Sequence, residues 1–438
     1  MKRFRIGVFC LFLSFLFFIL NPLPVTAQGE FDKWVFGAEA GLDFSPGVPV
    51  PMTNNSNVVS VWCPVSVSDS LGNLLFFSAL NKIYDRSFYI MQNGYDLLID
   101  PNGMESVFAV KKPGTDSLYY IFSVGANSWY YTGLHYSLLD MRLNNGMGGI
   151  VPGWKNIPVA GCEYARESIV GTRHQNNRDV WLIMLKVENV GLDNPMEYIS
   201  IKINDLGISN EVIISPSNLK FSSGGYEGCL KISRDGSRIF CHGQDSLTSE
   251  ICSFNTITGV VTPLFTFKNS SSYFAAPLFA EFSNDAKYLY VNSNVKSNLN
   301  DSISFFQYDA TKTDSLSFVN SRILIGYDTA SGTLQIGPDF KVYLSRTEQN
   351  SISCINNPSS RGIACNFQVG NIDLGGKLAY PGLPQFLQRY KAYIHHDGQC
   401  RQSPVAFSAD IWPPADTIRW DFGDPTSGTA DTSSLANP

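Results

Sequence analysis

The chain has 438 residues, 44% hydrophobic and 16% charged, which is enough apolar material for a large buried core. Its 13% aromatic content and 20 tyrosines favour sheets over helices. A formal net charge of −6 at pH 7, with no basic stripe, excludes nucleic acid as a partner, because phosphate binding needs clustered Lys and Arg.

The first element is an export leader over residues 1–27. Lys2, Arg3 and Arg5 precede an apolar run from Ile6 to Leu20, and Val25-Thr-Ala27 reads as a cleavage site before Gln28. The run is short for a bilayer span, so export is expected and no transmembrane segment after cleavage. Cys10 lies inside the run, where lipoprotein processing finds no suitable cysteine. Removing the leader takes three of the 32 basic residues and none of the 38 acidic ones, leaving a net charge of −9.

Short strands follow: Trp34-Val-Phe-Gly37 and Gly41-Leu-Asp-Phe44, then strand–turn–strand units over 65–77, 107–122 and 169–184. The same unit is clearest in Leu230-Lys-Ile-Ser-Arg-Asp-Gly-Ser-Arg-Ile-Phe240, and returns as Ala280-Glu-Phe-Ser-Asn-Asp-Ala-Lys-Tyr-Leu-Tyr290 and Leu334-Gln-Ile-Gly-Pro-Asp-Phe-Lys-Val-Tyr343. The turn acids Asp235, Asp285 and Asp339 are spaced by 50 and 54 residues. A unit of this period cannot bury its own apolar face and needs a neighbour on each side, which is the mark of a propeller blade.

Third strands closing on Asp or Asn are expected over 136–140, 198–205, 251–255, 304–309 and 352–356. Fainter fourth strands fall over 211–214, 261–267 and 318–324. A strand from Gly382 to Tyr390, joined to those at Trp34 and Gly41, completes a seventh blade shared between the ends. The 371 residues from Gln28 to Gly398 divide into seven units of about 53. The fold expected over 28–398 is therefore an all-β, seven-bladed propeller, with six blades as the alternative count; sharing one blade between the ends removes exposed sheet edges.

After Cys400 the strands Pro404–Ala409 and Thr417–Asp424 carry the run Trp420-Asp-Phe-Gly-Asp424. This resembles the start of a PKD domain, an immunoglobulin-like sandwich, although Pro425 stands where the family commonly has Gly. Residues 399–438 are read as an incomplete domain of that kind, since two strands cannot bury a sandwich core.

The order of Trp34–Gly37, Ala40–Phe44, the repeats, Asn356-Asn-Pro358 and Gly382-Leu-Pro-Gln-Phe386 is similar to the exported propeller-plus-PKD surface proteins of Bacteroidota. Turns such as Ser233-Arg-Asp-Gly236 resemble WD40-like repeats. Many members of that group are labelled gliding-motility-associated and use type IX secretion, so the resemblance implies a secreted or cell-surface location.

For function, no nucleophile elbow, zinc-binding His-Glu-x-x-His or phosphate-binding glycine loop is present. No cofactor and no metal site is expected. The adjacent His395 and His396 read as a solvated joint, and Asp421, Asp424 and Asp431 as a solvated loop rather than a calcium site. Seven Asp-Ser/Thr turns, at Asp69, Asp116, Asp245, Asp301, Asp314, Asp328 and Asp416, are similar to the O-glycosylation pattern of exported Bacteroidota proteins and equally match ordinary turn chemistry. Among the eight cysteines after the leader, Cys241 with Cys252 and Cys354 with Cys365 are the candidate disulfides, with buried free thiols as the alternative.

The candidate ligand-binding residues lie just before the innermost strands and on one neighbouring loop. They are Tyr164, Glu167, Tyr226, Glu227, Tyr273, Tyr327 and Tyr380, with Trp129, Tyr130 and Tyr131. Aromatic rings beside acids stack on sugars and bind their hydroxyls, or grip a peptide; the competing reading packs these tyrosines between blades. The expected role is a binding or adhesion module for an extracellular glycan or protein. The alternatives are a hydrolase or lyase using channel carboxylates, and a rigid spacer.

Overall fold

The Asp-centred turns are the joints on which the sheets are built. In the blade around Asp235, Ser233 Oγ donates to Asp235 Oδ1 at 2.6 Å, and the Ser237 N–H donates to the same oxygen at 3.0 Å. Asp285 repeats this with Ser283 Oγ at 2.7 Å and the Lys287 N–H at 3.3 Å. The residue after each acid is left-handed, with φ +73° at Gly236, +55° at Ala286 and +66° at Phe340. Only the first of these positions carries the glycine that such a φ favours.

The structure, a computed structural model, describes residues 29–438 except 56–57, 63, 101–102, 128–129, 188–193, 222–227, 244–247, 269–276, 294–302, 388–390, 398–404, 413–417 and 436. It is an all-β propeller of seven blades. Six blades follow in chain order as antiparallel up-and-down sheets. Blade 1 comprises Ser66–Ser68, Leu74–Ala79 and Lys82–Asp85; blade 2 comprises Val107–Lys111, Leu118–Asn127, Tyr130–Asp140 and Gly149–Ile150. Blade 3 comprises Val170–Arg173, Val180–Lys186, Asn194–Asn204 and Gly207–Phe221; blade 4 comprises Gly228–Ile232, Arg238–Gly243, Thr248–Phe254 and Val261–Lys268. Blade 5 comprises Pro277–Phe282, Tyr288–Ser293, Ile303–Asp309 and Ile323–Asp328; blade 6 comprises Leu334–Ile336, Val342–Leu344, Ser351–Ile355 and Phe367–Asp373.

Blade 7 is drawn from both ends. Its sheet joins Lys33–Ala38, Ala40–Asp43, Val50–Pro51 and Val59–Ser60. The late segment meets it through an Ala38–Leu378 bridge and a Gly382 N–H to Val61 O bond of 3.0 Å. The same segment then reaches both neighbours, since Thr333 N–H of blade 6 donates to Pro381 O at 2.7 Å and Gln385 bridges Val65 at the start of blade 1. This run hydrogen-bonds singly along its length instead of forming the full strand expected over 382–390, and 388–390 lie outside the described residues.

Each blade-to-blade interface has its own apolar cluster. Phe122 packs with Ile201 between blades 2 and 3, Leu230 with Tyr198 between 3 and 4, and Phe282 with Phe240 between 4 and 5. Phe305 packs with Ile355 between 5 and 6, Trp34 with Tyr343 between 6 and 7, Val35 with Phe77 between 7 and 1, and Phe76 with Ile121 between 1 and 2. Every sheet is thereby covered on both faces, which is how a ring of single sheets acquires a core.

Two expectations are corrected. Residues 315–320 form a short helix, Ser315–Asn320, rather than part of a strand, because Asp314 caps it by accepting from the Ser317 N–H at 2.9 Å; the fourth strand starts at Ile323. None of the four disulfide candidates is bridged, and all four thiols are buried. Cys241 lies opposite Glu250, and Cys252 opposite Ile239, so the two thiols are diagonal neighbours on paired strands, at about 7–8 Å, too far for a bridge. Cys354 packs between blades 6 and 7, whereas Cys365 packs between blades 5 and 6.

Beyond the ring, Lys391–Asp397 pairs with Ala406–Trp412, and Trp420–Asp421 with Thr432–Ser433. Trp420 is buried against Phe407 and Phe422, and its Nε1 donates to Leu435 O at 2.9 Å.

Candidate functional site

The first strand of each blade begins at the face where the inter-blade connections arrive and ends at the face that carries the Asp turns. The candidate aromatic residues belong to the connection face. There Tyr164 and Tyr327 are half-exposed, at 51% and 52%. Tyr380 is half-buried, and its carbonyl accepts from Ser345 Oγ. Glu167 departs from expectation: it is buried, and its carboxylate accepts the Met104 N–H of the blade 2 approach at 3.0 Å, so it ties blades together instead of facing solvent. Trp129, Tyr226, Glu227 and Tyr273, and the side chains of Tyr130 and Tyr131, lie outside the described residues.

At the ring's interior sits a charged group that no local motif announces. Glu105, just before the first strand of blade 2, reaches past blade 3 to blade 4. Its Oε1 lies 3.1 Å from Lys231 Nζ, and its Oε2 accepts the Leu230 N–H at 3.1 Å. Its own carbonyl accepts from Ser168 and Ile169 of blade 3. From blade 5, Glu281 accepts the Ile336 N–H of blade 6 at 3.3 Å. Burial pushes the Glu281 carboxyl up to about 7, against the opposing pull of Lys231. Glu105 and Glu281 are 0% and 2% exposed, so these carboxylates join blades and are sealed from solvent. Nearby, His242 Nδ1 sits 3.0 Å from Ser249 Oγ, and burial pulls its imidazole down to about 3.

On the turn face, an open cleft of about 290 Å³ lies at the junction of blades 1 and 2 with the closing segment of blade 7. Phe31, Phe386 and Tyr119 supply its aromatic lining, and Glu30, Asp69, Asp116 and Lys111 its charges. The Phe31 and Phe386 rings meet at 4.8 Å, and Phe386 is backed by Trp34 at 5.5 Å. Asp69 is committed to its own turn, accepting from the Leu71 and Asn73 N–H groups at 2.9 Å each. Ser68 and Gln385 complete the wall. This combination was not assembled from sequence; the Leu-Pro-Gln-Phe run is its one local signal.

Of the Asp-Ser/Thr turns, Asp245, Asp301 and Asp416 lie outside the described residues. Asp328 is buried and clamps Arg346, whose Nε and Nη2 donate to it at 2.9–3.1 Å. Asp424 accepts from the Thr426 N–H at 3.2 Å, and Asp431 from the Asp424 N–H at 2.5 Å. His395 and His396 stand on a paired strand opposite Ser408 and Phe407. Among the described residues no group of three or more His, Cys, Asp or Glu has metal-binding geometry, and no helix is long and apolar enough to cross a membrane.

No family model matches the chain, and no curated protein does. Solved structures do. A Bacteroides fragilis protein provisionally described as a 6-phosphogluconolactonase is 13% identical, with 82% of this chain and 99% of that chain covered and a TM-score of 0.44. A Lactobacillus plantarum protein is 11% identical over 83% and 92%, with a TM-score of 0.39. TolB from Acinetobacter baumannii is 10% identical over 64% and 66%, with a TM-score of 0.32. Likeness at this level carries no argument about activity.

Proposed function

We propose that this chain is an exported, secreted or surface-held binding module that recognises an extracellular glycan or protein through one propeller face. In this reading residues 1–27 are the leader and residues 399–438 begin a PKD-like domain. The observation that carries the reading is a difference in access. Tyr164 and Tyr327 stand open on the connection face, whereas the interior carboxylates Glu105 and Glu281, on which channel chemistry would depend, are closed off by their own backbone bonds. Half-exposed tyrosines supply rigid contact area at small entropic cost, which suits recognition.

The test is retention of residues 28–438 on an array of glycans and extracellular proteins, beside a Tyr164→Ala, Tyr327→Ala double variant. Saturable binding without product, weakened at least about tenfold in the double variant, supports the reading. Product release favours the hydrolase or lyase, and silence on every probe favours the spacer.

A further inference from the structure

We propose that Lys231 and Glu105 are a self-modification site: their side chains condense into an amide between Lys231 Nζ and Glu105 Cδ, a covalent tie between blades 2 and 4, with Glu281 as the proton carrier. The inference goes beyond the connection-face reading and does not depend on it, since the reaction needs no ligand and no access from solvent.

The pointer is geometry. A primary amine and a carboxyl lie 3.1 Å apart, with side chains 6% and 0% exposed. Reacting groups fixed this close reach effective concentrations of about 10⁵–10⁸ M. Neither is able to swing away. Glu105 Oε2 accepts the Leu230 N–H at 3.1 Å, and the Glu105 carbonyl accepts the Ser168 and Ile169 N–H groups at 3.1 Å each. Lys231 stands in a paired strand, opposite Phe240. Glu105 Oε1, the oxygen that faces the amine, has no hydrogen bond among the described residues, which makes it the leaving oxygen.

Burial favours the product. A buried ion pair keeps two desolvated charges, and condensation abolishes both. The sealed interior then keeps out the water that would hydrolyse the amide. Glu281, from the first strand of blade 5, acts electrostatically on both partners, and its lift to about 7 lets it hold a proton under mildly acidic to neutral conditions. Cys229 also faces this cluster, and burial keeps it as the thiol, so it does not compete as a nucleophile.

The step balances. Lys231 passes one ammonium proton to Glu105 Oε1, and the neutral amine attacks Cδ. The Nζ–Cδ bond forms while the Leu230 N–H supports the negative charge that develops on Oε2. Glu281 gives its proton to the Oε1 hydroxyl and takes the second proton from Nζ. The Cδ–Oε1 bond breaks, water leaves, and Glu281 ends protonated as it began. An ammonium and a carboxylate have become an amide and one water.

The test is the intact mass of residues 28–438, folded at mildly acidic pH and then denatured. The parent should be one water lighter than its sequence, and trypsin should release a branched species that joins residues 87–111 to residues 221–234, the latter uncut at Lys231. Denaturation separates this bond from a tight ion pair. Lys231→Arg and Glu281→Gln both retain a charge pair with Glu105, and both should fold with the full sequence mass. The parent should also unfold more slowly in urea than Lys231→Arg, because the tie resists separation of the blades. The mass and the branched species of the parent decide the bond even where a variant fails to fold. The proposal is overturned if folded parent carries its full sequence mass, if the lost water maps to other residues, or if folded Glu281→Gln links as completely as the parent.

Discussion

Glu105 and Lys231 meet at 3.1 Å inside the ring, although one belongs to the approach of blade 2 and the other to the first strand of blade 4. A contact between non-adjacent blades crosses the inner edge of the blade between them. The pair therefore acts as an internal brace, satisfied further by the Leu230 N–H. Removing one member of such a pair leaves an uncompensated buried charge. Lys231→Met should cost about 3–5 kcal/mol in urea unfolding. A loss under about 1 kcal/mol would mean that the pair is solvated and the ring interior open.

Two buried groups should give opposing pH dependences. Glu281 rises from 4.5 to about 7 on folding, so the native state holds a proton that the unfolded chain has released between those values. Its contribution is fully present below pH 4.5 and is lost as pH climbs through 7. His242 falls from 6.5 to about 3, so its contribution is present above 6.5 and is lost as pH drops toward 3. Between pH 4.5 and 6.5 the two slopes, each about 1.4 kcal/mol per pH unit, oppose each other. Relative to the parent, Glu281→Gln should make stability rise more steeply with pH in this window, and His242→Asn should make it fall. Equal slopes in all three proteins, by urea titration at several pH values, would contradict both assignments.

The thiols should be present but silent. Burial raises Cys162 and Cys354 to about 12 and lifts Cys229 and Cys252 well above the ordinary range, which leaves little thiolate to react. Native protein at about pH 8 should resist iodoacetamide at Cys162, Cys229, Cys241, Cys252, Cys354 and Cys365, and all six should label after denaturation without reductant. A peptide linking Cys241 to Cys252, or Cys354 to Cys365, would refute the strand register.

Ring closure depends on one close approach. Gly37 has φ +62°, and a Cβ there would stand 2.3 Å from Leu378 O, in the segment that completes blade 7. Gly37→Ala should destabilise by at least about 2 kcal/mol, combining left-handed strain with the clash. If the variant matches the parent in chemical denaturation, the late segment does not close the ring as described.

Much of the fold was legible because its signals are local. The Asp-centred turns recur at blade spacing, and a third strand such as Ile303–Asp309 lies within a residue of its expected bounds, whereas that of blade 2 starts six residues early, at Tyr130. Sharing blade 7 between the ends followed from counting units. The site was less legible. Glu105 bonds to Leu230, 125 residues away, from an irregular segment whose sequence carries no pattern. Ser68 and Gln385 line one cleft only because the late segment returns to the start of blade 1. The cysteine pairs looked plausible from spacing, but a register offset of two residues set Cys241 and Cys252 on a diagonal. Glu167 carried the right residue type for a ligand contact, and its direction, inward to the Met104 N–H, could be read only from the packed blades.

The central claim is recognition without turnover. It is tested most directly by incubating residues 28–438 at stoichiometric concentration with each ligand retained on the glycan and protein array, then quantifying bound ligand and any product in the same sample. The account predicts full recovery of intact ligand, with retention reduced at least about tenfold by the Tyr164→Ala, Tyr327→Ala variant. Accumulation of cleaved product in the parent, abolished by Glu105→Gln or Glu281→Gln in folded protein, would contradict it and place the chemistry in the ring interior.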